Sequence, residues 1–257
     1  MLKGLYTAYT GMLNEQNRMD VLTNNLANTS TKGYKKEGAT AQSFADIYAY
    51  KVKDKSEHIS TKRLGEMSFG VKIGENYTDF SAGALQVTNN EFDLALEGEG
   101  FFAIQFTNKA GETSTKYTRD GSFTVNNEGN LVTEDGDFVL GTDGNPITLA
   151  LSQPVSINTD GTVYQNDEQV GQLQIIDFEN YDFLEKYGEN LMQTVEGAQE
   201  QPAAAQVRQG ALEASNVQPV NEMVNMIAIQ RAYDTNQKVI TTMDDILDKT
   251  VNQVGRV

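Results

Sequence analysis

A glycine-rich stretch is the first place where this sequence could do chemistry. Gly98-Glu-Gly100-Phe-Phe-Ala103 matches the G-x-G-x-x-A form of the dinucleotide-binding fingerprint. That fingerprint requires a helix directly after the glycines, because the helix N-terminus holds the pyrophosphate. The residues from Phe101 to Phe106 instead have the pattern of a β-strand. We therefore interpret Gly98 and Gly100 as parts of a tight structural turn and predict no cofactor.

Acidic side chains are the second possible source of chemistry. Asp93, Glu97 and Glu99 could in principle provide the acid and base of a glycosidase. The chain contains 36 Asp and Glu residues, however, so acidic neighbours arise readily by chance, and we interpret these three as solvated surface. The Asp-Gly pairs lack the spaced ligands and the final glutamate of a calcium loop.

The residues that most often serve as nucleophiles or metal ligands are nearly missing. The chain has no Cys, which excludes disulfides, thiolate metal sites and Cys nucleophiles. Its single histidine, His58, lies in a polar stretch and has no suitable Ser arrangement around it. We predict that the protein has no catalytic, cofactor-binding or metal-binding residues and is not an enzyme.

The charge balance narrows the choice of partners. Lys and Arg number 20 against 36 Asp and Glu, which gives a formal net charge of −16. Such a chain repels nucleic acid phosphates and anionic lipid headgroups, so we expect neither as a partner. No apolar run approaches the roughly 18 residues of a membrane span, and the N-terminal segment lacks the pattern of a cleaved signal peptide. We expect no membrane insertion.

Both ends of the chain have the spacing of a long helix with a narrow apolar stripe. The stripes repeat in alternating steps of three and four residues, which is typical of a coiled coil. Their members are Leu5, Tyr9, Met12, Met19 and Leu26 at one end, and Met226, Ile229, Tyr233, Ile240, Met243 and Leu247 at the other. A helix with such a thin stripe buries little apolar area alone. We therefore predict assembly helices within residues 1–33 and 215–257.

The middle of the chain changes to a period of two. Apolar residues alternate with polar ones in short runs around Phe101–Phe106, Phe123, Phe138, residues 147–151 and Val155. Turn signals separate the runs, namely Asp120-Gly121, Glu128-Gly129, Asp135-Gly136, Asp143-Gly144 and Asp160-Gly161. We predict the α+β class: a central antiparallel β domain over residues 85–195, connectors over 34–84 and 196–214, and coiled-coil-like terminal helices forming one module.

Several sequence blocks form a set that extends along the chain, through both predicted helices and the predicted β domain. They are Leu5-Tyr-Thr-Ala-Tyr-Thr-Gly-Met12, Asn24-Asn25-Leu-Ala-Asn28-Thr-Ser-Thr-Lys-Gly33, Phe92-Asp-Leu-Ala-Leu-Glu-Gly98-Glu-Gly100-Phe-Phe102, Tyr117-Thr-Arg-Asp-Gly-Ser-Phe123 and Gln230-Arg231-Ala-Tyr233. This set resembles the flagellar basal-body rod and hook protein family. The motif positions that we single out are Asn24, Asn25, Asn28, Gly33, Gly98, Gly100 and Arg231.

The resemblance implies a structural subunit located in the basal body of the bacterial flagellum. Such a subunit leaves the cell through the flagellar type III export apparatus and stacks with copies of itself into a helical homo-oligomer. Its terminal helices line the inside, the β domain lies outside, and other rod and hook proteins are its neighbours. The assembled axis transmits torque from motor to hook.

The length and the single β domain look most like the distal or proximal rod proteins, and the choice between these two stays open. A hook-type axial protein is the first alternative, although such proteins carry a further outer β domain. Thr23 stands where the family often has Ala before the Asn pair. An alternative from another class is a secreted acidic hydrolase or a carbohydrate-binding module, which the absence of Trp disfavours.

Overall fold

The computed structural model has a long helix at each end of the chain and a β-rich region between them. It describes residues 2–45, 47–51, 62–108, 111–151, 153–188 and 190–254, and His58 lies outside these ranges. The helices are α1 (Leu2–Ala27) and α2 (Pro219–Lys249). The pairings between the strands are antiparallel. The α+β class with a central antiparallel region is therefore confirmed.

The strands of the described residues are short. In chain order they are β1 (Glu37–Ser43), β2 (Ile47–Lys51), β3 (Lys62–Met67), β4 (Val71–Thr78), β5 (Leu85–Val87), β6 (Leu94–Glu97), β7 (Phe101–Thr107), β8 (Thr113–Thr118), β9 (Phe123–Val125), β10 (Leu131–Thr133), β11 (Phe138–Val139), β12 (Val155–Ile157), β13 (Thr162–Gln165), β14 (Glu168–Gln172), β15 (Ile175–Phe178), β16 (Leu184–Tyr187), β17 (Leu191–Thr194), β18 (Glu200–Pro202), β19 (Gln206–Gln209) and β20 (Ala211–Glu213). A single 3₁₀ turn, Tyr181–Phe183, separates β15 from β16.

The chain divides into two compact units. The first consists of Met1–Leu26, Glu37–Asp79 and Gln218–Val257, and the second of Ala27–Lys36 and Phe80–Val217. The stretches predicted as connectors are not free of regular structure, because 34–84 contains strands β1 to β4 and 196–214 contains β18 to β20. The predicted domain boundaries at 33, 84, 195 and 214 stay predictions.

The first unit combines the helices with two separate two-stranded sheets. β1 pairs with β4 in one sheet, and β2 pairs with β3 in the other. The loop before β4 lies against α1: the Thr7 hydroxyl donates to the carbonyl of Phe69 at 3.5 Å. A Cβ added at Gly70 would lie 2.3 Å from the Thr10 hydroxyl oxygen, so only glycine permits this close approach.

The second unit is built around a large sheet. Its main strand order is β16-β17-β8-β7-β11-β10-β9, and β15 pairs with both β7 and β18. Smaller sheets join β12-β13-β14, β19-β6 and β20-β5. One face packs a core of Leu94, Leu96, Phe102, Ile104, Phe123, Leu131, Val139, Ile147, Leu149, Val155, Ile157, Val163, Leu173 and Val207. A second cluster contains Phe101, Ala103, Tyr117, Leu140, Ile176, Phe178 and Met192.

Most of the predicted turns form as expected. Gly129, Gly136, Gly144 and Gly161 have positive φ angles, and each donates its N–H to the carbonyl three residues earlier. Such backbone angles are easy for glycine alone, which explains the Asp-Gly and Glu-Gly pairs. The predicted strand at residues 147–151 is wrong: Ile147 and Leu149 are buried, but Leu151 is exposed, and the pairing there is one isolated bridge between Asn130 and Thr148.

Tyr117 on β8 is a buried phenol with one carboxylate partner. Its O–H donates to Glu200, and it also packs edge-on against Phe178 at a ring distance of 5.0 Å. Burial, reinforced by this hydrogen bond and by the charge of Glu200, raises the pKa of Tyr117 well above its ordinary value. The phenol is therefore held in its neutral form in the folded protein.

The raised pKa of Tyr117 predicts a loss of stability in alkali. An unfolded tyrosine ionises near pH 10, whereas the folded one keeps its proton, so the free energy of unfolding should fall as pH rises through about 10 and above. Tyr117→Phe should reduce this fall. Urea unfolding at pH 8 and pH 11 measures it, with the exposed Tyr187→Phe as the matched control. Equal falls in both variants would contradict the assignment.

Candidate assembly interface

The apolar stripe predicted on α2 coincides with the protected face of that helix. Ile229 is buried, with an exposed fraction of 4 %. The other members of the stripe, Met226, Tyr233, Ile240, Met243 and Leu247, are partly buried. Asn236 belongs to the same row, and Glu222, at its start, is completely buried. Most residues between the members are exposed, so α2 has one protected face with a seven-residue repeat.

The structure places part of the protected face of α1 elsewhere than the predicted stripe. A Cβ added at Gly4 would lie 3.0 Å from Met243 Cε, and one added at Gly11 would lie 3.1 Å from Asn236 Nδ2. The residue numbers change in opposite directions, so the two helices run antiparallel. Ala8 and Leu22, which continue the row of Gly4 and Gly11, are buried. Hydropathy gives no signal for the two glycines, and only their seven-residue spacing could have indicated this row.

The predicted α1 stripe is displaced from this row by one residue, which is a rotation of about 100° around the helix axis. Four of its members, Leu5, Met12, Met19 and Leu26, are partly buried. Tyr9 is exposed, at 48 %. A role for these five side chains in contacts between subunits stays a prediction.

Asn25 joins the end of α1 to the start of β1. Its side chain is completely buried, and its Nδ2 donates to the carbonyl of Glu37 at 2.7 Å. The Glu37 N–H donates to Asn25 Oδ1 at 2.9 Å, so one amide pairs with both backbone groups of one residue. Asn24 is exposed, whereas Asn28 is buried and accepts from the Thr31 hydroxyl at 2.9 Å.

We expect Asn25→Leu to lower the free energy of unfolding by about 1–3 kcal/mol. Leucine has a similar volume but leaves the N–H and the carbonyl of Glu37 without their side-chain partner. Urea unfolding followed by helical circular dichroism measures the loss. Gln16→Leu, at an exposed position of the same helix, should change stability by no more than about 0.5 kcal/mol. A loss in Gln16→Leu as large as in Asn25→Leu would contradict the proposed role.

The motif glycines lie where the backbone comes close to other parts of the second unit. Gly33 has a φ of +66°, and its N–H donates to the carbonyl of Glu213 at 2.8 Å. A Cβ added there would lie 2.4 Å from the backbone nitrogen of Asp120. Gly98 and Gly100, with φ of +125° and +138°, form the turn from β6 into β7. Because strand β7 follows directly, these glycines do not open a helix that could hold a pyrophosphate.

Gly33→Ala should destabilise the second unit far more than Gly144→Ala. Both glycines have similar positive φ angles, +66° and +72°, so the backbone penalty of about 1–2 kcal/mol is shared. A Cβ at Gly33 would also clash with rigid backbone, whereas at Gly144 nothing lies within 4 Å. Thermal melting of the two variants measures the difference. Equal melting temperatures would show that the close approach at Gly33 is not constrained.

A buried ion cluster lies beside Gly33. The Lys35 ammonium contacts Glu213 Oε1 at 2.7 Å and the carbonyl of Ser81 at 2.9 Å. Arg119 Nη1 lies 3.5 Å from Glu213 Oε2, and all three charged side chains are at least 95 % buried. The Gly83 N–H also donates to Glu213 Oε1 at 2.8 Å. Glu213 therefore holds two cations and links segments that are far apart in the sequence.

An open groove with a volume of about 600 Å³ lies in the second unit. It includes Lys32, Asp120, Glu134, Asp135 and Asp137. Lys32 contacts Glu134 at 2.9 Å, and this hydrogen bond lowers the pKa of the Glu134 carboxyl. Among the described residues, no three His, Asp or Glu side chains are arranged to hold a metal ion.

Arg231 is the last of the predicted motif positions. It lies on α2, and its side chain is exposed. Within the described part of the chain, neither helix combines the length and the apolar character that a bilayer span needs.

Three family models match separate parts of the chain. The model described as "Flagella basal body rod protein" matches residues 5–35, and that of the "Flagellar hook protein FlgE/F/G D1 domain" matches residues 95–165. The model "Flagellar basal body rod FlgEFG protein C-terminal" matches residues 208–254. Together they cover α1, much of the second unit and α2.

Full-length relatives agree with these models. The chain is 36 % identical to the flagellar basal-body rod protein FlgG of Bacillus subtilis over 98 % of its own length and 99 % of the relative. It is 34 % identical to FlgG of Buchnera aphidicola subsp. Baizongia pistaciae, with 97 % and 98 % coverage. The flagellar basal-body rod protein FlgF of Caulobacter vibrioides is also 34 % identical, with both chains fully covered. Two differently named rod proteins thus match almost equally well.

Proposed function

The chain belongs to the flagellar basal-body rod protein family, and on this premise we propose that it is a structural subunit of the rod that polymerises through α1 and α2. Its location is the flagellar basal body. The observation that carries the proposal is the protected face of α2, whose seven-residue repeat extends from Glu222 to Leu247. A helix face with this repeat packs against other helices. Rod subunits joined in this way transmit torque from motor to hook.

α1 and α2 form one coiled-coil-like module in this proposal. The close approaches of Gly4 to Met243 and of Gly11 to Asn236 support antiparallel pairing along the helices. Small residues on one helix let the backbones come near each other, and the larger residues of α2 fill the space between them. The pair then offers its outer surfaces to other subunits, with the predicted stripe Leu5, Met12, Met19 and Leu26 on one of them.

The partners that follow are copies of the chain in a helical homo-oligomer, other rod and hook proteins, and the flagellar export apparatus. The full-length similarity to both FlgG and FlgF rod proteins supports axial neighbours of the same family. The net charge of −16 disfavours nucleic acid as a partner. The role is structural, and we assign no catalytic residue to the chain.

This function is tested by deleting the gene that encodes the protein from its bacterium. We expect non-motile cells whose basal bodies, isolated and imaged by electron microscopy, lack a complete rod and hook. Expression of the wild-type chain should restore both structures and motility. Complete, hook-bearing basal bodies in the deletion strain would contradict the proposal.

A further inference from the structure

Each helix carries an apolar patch that the folded chain leaves exposed. The α1 patch consists of Tyr6, Tyr9 and Leu13, and the α2 patch of Val220, Met223, Val224 and Ile227. These seven side chains are between 39 % and 73 % exposed. At 100° per residue, the α1 patch and three members of the α2 patch project away from the row that faces the partner helix. The fourth member, Met223, lies beside that row, about 100° from Glu222. The patches are therefore not part of the contact between α1 and α2.

The two patches lie at opposite ends of the antiparallel pair. Gly11 is level with Asn236, and Gly4 with Met243, so the α1 patch is level with the region around Lys238. The α2 patch is centred about 14 residues away from that level, which at 1.5 Å per residue is about 20 Å along the axes. Because each patch faces away from the other helix, the two also point to opposite sides of the pair.

The charges around the patches favour a second copy of the chain as the partner. Residues 219–230 contain one charged side chain, Glu222, which is completely buried. Residues 2–14 also contain one, Lys3, whose ammonium lies 5.7 Å from the centre of the Phe69 ring. Copies of a chain with a net charge of −16 repel each other, and they approach at least cost through uncharged surfaces. A basic partner would instead be drawn to the acidic surface elsewhere.

The size of the patches fits repeated contacts better than a stable dimer. Each exposes on the order of 300–400 Å² of apolar surface, which is the size of the largest apolar patch on a typical monomer, and such patches are often functional. Burying one against the other removes well under the 1,200–2,000 Å² typical of a stable complex. A single contact is therefore weak, and strength must come from many subunits making it together.

We propose that the α1 patch of one copy packs against the α2 patch of the next, with the copies offset by about 20 Å along the helix axes. Aromatic rings on one side meet aliphatic side chains and the Met223 thioether on the other, a favourable combination. Because two different patches meet, the contact does not close on itself and propagates into a helical array. This inference rests on the proposed function and adds the surfaces that join neighbouring subunits.

Cysteine crosslinking of the full chain tests the contact, because the natural sequence has no Cys. Tyr9→Cys and Val224→Cys place one thiol in each patch, and both positions are exposed, so folding should be retained and circular dichroism checks it. Within one molecule the two thiols face opposite sides and lie about 20 Å apart along the axis, too far for a disulfide. Mild oxidation at high protein concentration then reports contacts between copies alone.

The expected result is specific to the mixture of the two single variants. That mixture should give a crosslinked dimer, each variant alone should give none, and the double variant should give a ladder of multimers on a non-reducing gel. Tyr9→Cys mixed with Gln237→Cys, exposed on α2 outside the patch, should not crosslink. Dimers of Val224→Cys alone, or no ladder from the double variant, would overturn the inference.

Electron microscopy of the same samples distinguishes a failure of this inference from a failure of the proposed function. Filaments without a ladder would contradict the inference alone. The absence of both filaments and ladder would contradict the proposed function as well.

Discussion

Ile240→Asp is expected to abolish rod assembly and motility while leaving the melting of the second unit nearly unchanged. Ile240 lies in the protected row of α2, one turn from Met243, and it is partly buried already in the single chain. A carboxylate there must lose more water when helices pack around it, which costs several kcal/mol per subunit. A helical array repeats that cost in every copy, so the polymer should not form.

The matched control is Gln237→Asp, which introduces the same charge three residues earlier at an exposed position of α2. Cells carrying Gln237→Asp should swim normally and contain rods. Met19→Asp tests the predicted α1 stripe in the same assay, and we expect it too to block assembly. Near-normal motility with Ile240→Asp would show that the α2 row is not needed for assembly.

Glu213→Gln is expected to destabilise the second unit by about 3–5 kcal/mol, because it leaves buried cations without their counter-ion. Lys35 and Arg119 both contact the Glu213 carboxylate, and each is at least 95 % buried. The glutamine fits the same space but carries no charge. Thermal melting followed by near-ultraviolet circular dichroism, which reports the tyrosines of the sheet, should show a melting temperature lower by roughly 6–20 °C.

The control for Glu213→Gln is Glu134→Gln, which removes the carboxylate of an exposed ion pair with Lys32. An exposed pair contributes about 0–1 kcal/mol, so the melting temperature should hardly change. Replacing Lys35 and Glu213 together by Met should recover part of the loss, because no uncompensated charge then remains at that pair. If Glu213→Gln and Glu134→Gln melted at the same temperature, the buried cluster would contribute no more than a surface pair.

The sequence was sufficient for the features that depend on local chemistry. Pro219 and Glu222 suit the first turn of α2, which begins at Pro219. The glycines at 129, 136, 144 and 161 marked turns because positive φ angles favour glycine whatever the tertiary context. The row Met226 to Leu247 was visible because its members are apolar and repeat every seven residues. These signals need no knowledge of distant parts of the chain.

Features that depend on distant partners were not visible. Lys35 and Glu213 are 178 positions apart, and each alone has the appearance of a surface residue. The ribbon of β1 and β4 was missed because many of its residues are exposed on both faces, so no period of two marks the strands. Gly4 and Gly11 were missed because a contact through glycine leaves no apolar signal. In each case the structure shows a contact with a distant residue that the local sequence pattern does not indicate.

Electron cryo-microscopy of the purified full-length protein at high concentration tests the central claim most directly. Polymerisation through α1 and α2 predicts filaments or tubes in which the two helices form the inner layer and the β-rich second unit lies outside. The α2 row from Met226 to Leu247 should be covered in every subunit. Protein that stays monomeric up to its solubility limit, or filaments whose subunits meet through the β sheets while both helices remain in solvent, would contradict the account.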